Sequence, residues 1–191
     1  MGATIIAHDN TRQRLVAKQK CPAKKKCPAK HALPVISFSE QMSFHLNDHH
    51  IQAFYVANAH TDGDIVIHFK NLNVIHAGDT YLNAKFPFID IKRGGSINGL
   101  IAAQKKLLSL SNSHTQIIPG HGKLANKQDL EESIAMLETS KQLISQLIAK
   151  NKSEDEVVAI NPLAQFHDKW HRRFITTQKM TRQVYQSLVG E

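Results

Sequence analysis

The sequence has 191 residues, of which 41% are hydrophobic and 21% charged, with a net charge of +8. That is enough apolar chain for one domain with a sizeable core, which excludes a disordered chain. No stretch approaches the roughly 20 apolar residues of a membrane span, and Met1 to Asp9 lacks the charged start and long apolar run of a signal peptide. As written, the protein is expected to stay where it is made, in the cytoplasm, with no membrane partner. The positive charge is densest at Lys18, Lys20, Lys24, Lys25, Lys26 and Lys30. A nucleic-acid site would use such a patch. Arginine is scarce there and no aromatic is interleaved for base stacking, so a solvated loop is the better reading and no nucleic-acid-binding residue is assigned. Cys21 and Cys27 are spaced too widely for a zinc knuckle or a redox pair, and read as free surface thiols, or as a local disulfide if the protein is exported.

In chain order, Ala3 to Ala7 is a short apolar run read as a strand, and Asp9 or Asn10 can cap a helix running to about Lys20. After the lysine loop come Val35 to Phe38, continuing through Phe44-His45-Leu46, and then Ile51 to Val56, with the polar Asn47 to His50 as a hairpin turn. Asp64 to Phe69 alternates as a strand, with Ile65, Ile67 and Phe69 on one face. Val74-Ile75-His76 is the next strand. Ser96 caps a helix carrying Ile97, Leu100, Ile101, Leu107 and Leu108, and Thr115 to Ile118 is the last strand. Beyond Lys127 the chain reads as helix, with Leu130, Ile134, Leu137, Ile144 and Ile148 as one stripe. Ser153 to Glu156 is a capping box, Asn161-Pro162 a break, and Gln178 to Leu188 a closing helix. Strands first, then a helical tail, suit a single layered α/β domain over residues 1–191, with helices covering a sheet.

Three motifs carry the chemistry: Ala59-His60-Thr61-Asp62-Gly63-Asp64, His76-Ala77-Gly78-Asp79-Thr80, and Ile118-Pro119-Gly120-His121-Gly122. Each sets a metal-capable side chain just past a short apolar run. Strand ends gather on a sheet rim, so His60, Asp79 and His121 are the candidate metal ligands, a set suited to zinc, iron or manganese. A carboxylate between two imidazoles can bridge two ions. Asp62 and Asp64 are candidates for orienting His60, or equally for capping its loop. His76 and Tyr81 are smaller bets for the cleft or the substrate.

In that order, these motifs resemble the metallo-β-lactamase-fold hydrolase superfamily, and Phe86-Pro87-Phe88-Ile89-Asp90 with Gly94-Gly95-Ser96 resembles one bacterial branch of it. The resemblance implies an αββα sandwich with two zinc sites, His60 on the first, His121 on the second and Asp79 bridging. It also implies a metal-held hydroxide attacking an ester, thioester, lactam or similar bond. Aspartate rather than cysteine at position 79 is more similar to the general hydrolase and thioesterase branches. The family's upstream His-x-His-x-Asp-His string, which supplies four further ligands, does not occur in these 191 residues. The chain is therefore expected to be the downstream part of the fold, incomplete at its N-terminus, with weak or partial zinc occupancy. The alternative is a non-catalytic half-fold remnant that binds a partner or self-associates through exposed sheet. Related chains are often exported.

Overall fold

The computed structural model describes residues 3–19 and 29–190. Lys20 to Lys26 and both cysteines lie outside them. A two-stranded parallel sheet joins β1 (Ile6–His8) to β2 (Ile36–Phe38), with α1 (Asp9–Lys18) between them in sequence. A five-stranded sheet runs in order β3 (Gln41–Leu46), β4 (His49–Tyr55), β5 (Ile65–Phe69), β6 (Val74–Leu82) and β7 (Gln116–His121). The helices are α2 (Ile97–Leu110), α3 (Lys127–Ala149), α4 (Glu154–Ile160), the short α5 (His167–Trp170) and α6 (Thr177–Gly190). Among the described residues no helix is long and apolar enough to cross a membrane.

Local chemistry accounts for the boundaries. Asn47 and Asp48 both take positive φ, 51° and 61°, which gives the hairpin between β3 and β4 a two-residue turn whose twist matches the strands. Ser96 caps α2 by accepting from the Gly99 N–H at 2.9 Å. Asn126 with Asp129, and Ser153 with Glu156, form capping boxes at the starts of α3 and α4. Two expectations shift. The cap of α1 is His8, whose Nδ1 accepts from the Asn10 N–H at 3.2 Å, rather than Asp9 or Asn10. The run from Val35 to Leu46 is two strands in different sheets, broken at Ser39-Glu40.

One face of the large sheet carries Phe54, Val66, Ile75 and Ile117 into the core, against Leu100 and Leu107 of α2, Leu130, Leu137 and Ile144 of α3, and Met180 and Val184 of α6. Val66 is thus the deeply buried residue of β5, on the face opposite Ile65, Ile67 and Phe69. That second face is less completely covered. The small sheet reaches the large one where the His8 ring stacks on Tyr55, centroids 3.9 Å apart. Across the same face, His76 pairs in register with Ile118, and both are exposed.

His68 points to a pH effect. Burial, helped by Lys70 and then His50, pulls its pKa below the ordinary 6.5, and its Nδ1 is buried without a partner among the described residues. The unfolded chain then holds the proton more tightly than the folded one, so this residue's contribution to stability falls as pH drops below about 6.5. Melting midpoints should fall on acidification through that window, and His68→Gln should flatten the dependence. An unchanged slope in the variant would assign the effect to other histidines.

Candidate metal centre

Strand direction brings the three motifs together. β4 and β6 are each antiparallel to β5, and β7 is parallel to β6, so β4, β6 and β7 all point the same way. Their C-terminal ends share one rim of the sheet. His60 follows β4, Asp79 lies towards the end of β6, and His121 ends β7.

The His60 loop is sewn to the 88–96 segment by backbone bonds. Asp90 N–H donates to the His60 carbonyl at 2.9 Å, Asp62 N–H to Arg93 O at 2.8 Å, and Ser96 N–H to Asn58 O at 2.8 Å. A side chain on Gly95 would collide with the His60 carbonyl, so only glycine permits this approach. The result is a fixed imidazole. His60 Nδ1 lies 2.8 Å from the Phe88 carbonyl, and a carbonyl can only accept. Nδ1 therefore carries a proton, which leaves Nε2, on the cleft side, as the ring's only possible metal donor.

That Nε2 lies 3.9 Å from Asp79 Oδ2, while His121 Nε2 lies 3.7 Å from Asp79 Oδ1. Both gaps exceed hydrogen-bonding reach. They are near the roughly 3.4 Å or wider spacing of two donors on one tetrahedral ion. One carboxylate thus offers an oxygen to each of two imidazoles. The donor types suit zinc. The donor number is two per position, where a catalytic zinc has about three protein ligands. Among the described residues no group of three or more histidine, cysteine or acidic side chains gathers to hold an ion. Side-chain exposure rises along the set, from 18% for His60 through 45% for Asp79 to 67% for His121. The cleft they line is about 270 Å³, and Leu82, Phe88, Asp90, Arg93 and Phe174 make up the rest of its lining.

The remaining candidates sit elsewhere. Asp64 caps the loop, accepting from the Thr61 N–H at 2.8 Å and the Thr61 hydroxyl at 2.6 Å. Asp62 pairs with Arg14 of α1. Neither holds His60; the Phe88 carbonyl does. His76 is exposed on the sheet face away from the helices and does not line the cleft. Tyr81 is fully buried, with its hydroxyl unpartnered among the described residues and its pKa pushed up by burial and then by Asp129 and Glu132 of α3. It belongs to the core. Sequence reading had no signal for the Phe88 carbonyl and none for Phe174 as a cleft wall.

Solved structures with this architecture include metallo-β-lactamases and an alkylsulfatase. A metallo-β-lactamase from Pontibacter korlensis superposes with a TM-score of 0.57 at 12% identity, over 72% of this chain and 59% of that one. BLEG-1, a B3 metallo-β-lactamase, gives 0.56 at 18%, over 70% and 65%. The stereoselective inverting sec-alkylsulfatase Pisa1 from Pseudomonas sp. gives 0.64 at 13%, over 83% of this chain and 27% of that one. The chain has the metallo-β-lactamase fold. Its two sheets and its helix layer are a mixed α/β form of that fold, and it spans less than two thirds of each of these proteins. No protein-family model and no curated protein sequence matches the chain.

Proposed function

We propose that this chain carries part of the two-metal centre of a zinc-dependent hydrolase, with His60 and His121 as ligands to separate ions and Asp79 bridging them. The observation that carries the reading is the Asp79 carboxylate, which directs one oxygen towards each imidazole Nε2, at 3.9 and 3.7 Å. The fold supports it, since the structural neighbours are named as β-lactamases and an alkylsulfatase. Bound zinc would supply Lewis acidity and a water of lowered pKa for attack on an ester, thioester, lactam or similar bond. The chain's own residues do the positioning. The Phe88 carbonyl fixes the His60 tautomer, Asp79 would hold both ions through its two oxygens, and Phe88 and Phe174 form one wall of the cleft.

Two donors per ion make each site weak. Titration of the purified chain against a competing chelator should find less than one tightly held zinc per chain, and little hydrolysis of ester, thioester or lactam substrates. Two stoichiometric ions by elemental analysis would overturn the half-site reading.

A second reading, a non-catalytic half-fold that binds a partner or a second copy, draws on the exposed sheet face around His76 and Ile118. Saturating zinc separates the two readings. The hydrolase reading expects residual turnover that depends on Asp79, and the remnant reading expects none.

A further inference from the structure

The metal cleft is not the whole depression. A second hollow of about 220 Å³ adjoins it and shares Leu82, His121 and Phe174 with it. Lys85, Phe86, Arg172 and Ile175 complete its lining. The two hollows form one groove that passes His121.

The walls of the second hollow have a particular chemistry. Leu82, Phe86, Phe174 and Ile175 are apolar, and no carboxylate lines it. Lys85 makes no hydrogen bond or ion pair to any described residue, and the Arg172 guanidinium bonds only the carbonyl of its neighbour His171, at 2.6 Å. Arg93, in the first hollow, is by contrast neutralised by Asp90 at 3.3 Å. The cations beyond His121 are therefore available to an incoming anion.

Phe174 marks where the apolar part of a ligand would lie. Its residue surface is 68% exposed, a costly state for a phenyl ring. The ring is nevertheless held in place. The Lys179 ammonium sits 4.3 Å from its centroid and donates to the Phe174 carbonyl at 3.1 Å, while the Phe88 ring lies 6.0 Å away. A fixed, exposed aromatic shelf facing unpaired cations suits a flat apolar body with a negative head.

We propose that this second hollow is a recognition subsite for an aryl group bearing an anionic head, the aryl group on Phe174 and the anion at Lys85 and Arg172. The inference that such a ligand is the substrate's outer portion, with its scissile bond over Asp79, rests on the hydrolase reading. Binding at the subsite does not.

The test uses metal-free and zinc-loaded protein with three probes: naphthalene-2-sulfonate, 2-naphthoate and the neutral 2-naphthalenemethanol, followed by probe fluorescence. Both anions should bind at least about 10-fold more tightly than the alcohol, with or without zinc. Lys85→Gln combined with Arg172→Gln should remove that preference and leave the affinity for the alcohol unchanged. Phe174→Ala should weaken all three probes. Both variants alter side chains at the surface of the groove, and an unchanged melting midpoint would establish that they fold. Equal binding of the anions and the alcohol, or anion binding unaltered in the double variant, would overturn the proposal. Anion selectivity in a protein that takes up no zinc at any concentration would uphold the subsite while removing the hydrolase reading.

Discussion

Asp79→Ala is expected to abolish zinc binding at both positions together, whereas His60→Ala or His121→Ala should each abolish it at one. The asymmetry follows from geometry. On the two-metal proposal Asp79 supplies one of the two donors at each position, and removing it leaves two lone imidazoles, one in the loop after β4 and one at the end of β7. Loss of a group that merely orients a ligand costs about 10–100-fold in metal affinity, so loss of a direct donor should cost at least about 100-fold. The fold should be nearly indifferent. The carboxylate is 45% exposed and lies beyond hydrogen-bonding distance of either ring. Such pairs contribute at most about 1 kcal/mol. Calorimetric zinc titration beside a thermal melt reads both outcomes. An Asp79→Ala protein that still takes up zinc with the parent's affinity would show that the carboxylate is not a ligand.

The rim of the sheet was legible because each motif announces itself locally, as a short apolar run followed by a ligand-type residue and a glycine. That locality also set the limits. Val35 to Leu46 reads as one interrupted strand, but the partner of its first part, β1, lies far upstream in sequence, while its second part pairs with the next strand. The chain divides between two sheets at Ser39-Glu40, with β2 beside β1 and β3 beside β4. Tyr81 illustrates a second limit. Strict alternation would set it on the same face as Asp79. The register of β6 on β7 shifts on both sides of Gly78, which has φ of 55°, and those irregularities break the alternation. Tyr81 turns inward to the core while Asp79 stays at the surface.

The supports of the site were less visible than its ligands. Phe88 acts on His60 through a backbone carbonyl, which any residue could supply, so no side-chain pattern reports it. Lys85 lies in one loop and Arg172 and Phe174 in another far along the sequence, and only folding makes them one groove. Capping boxes, by contrast, were readable at Ser153 to Glu156 because donor and acceptor lie within three residues of each other.

Gly120→Ala should do what Asp79→Ala does to zinc and should also damage the fold. A methyl group on Gly120 would collide with Asp79 Oδ1 and would lie 2.8 Å from the Gly78 carbonyl carbon and oxygen. The carboxylate could rotate away, but only by giving up its place between His60 and His121. The Gly78 backbone cannot retreat as easily, because Gly78 is in register with Pro119 in the β6–β7 ladder. Overpacking of this kind costs about 1–3 kcal/mol. In a chain of this length that lowers the melting midpoint by roughly 2–12 °C. Gly78→Ala is the control. Its methyl group would meet nothing within 4 Å, but φ there is +55°, so its cost is backbone strain alone, about 1–2 kcal/mol. Both variants should therefore melt early, while Gly120→Ala loses more zinc affinity than Gly78→Ala. A Gly120→Ala protein with the parent's midpoint and zinc affinity would mean that β7 does not press against Asp79 and that the spacing of the three ligands is not set by the contact between these strands.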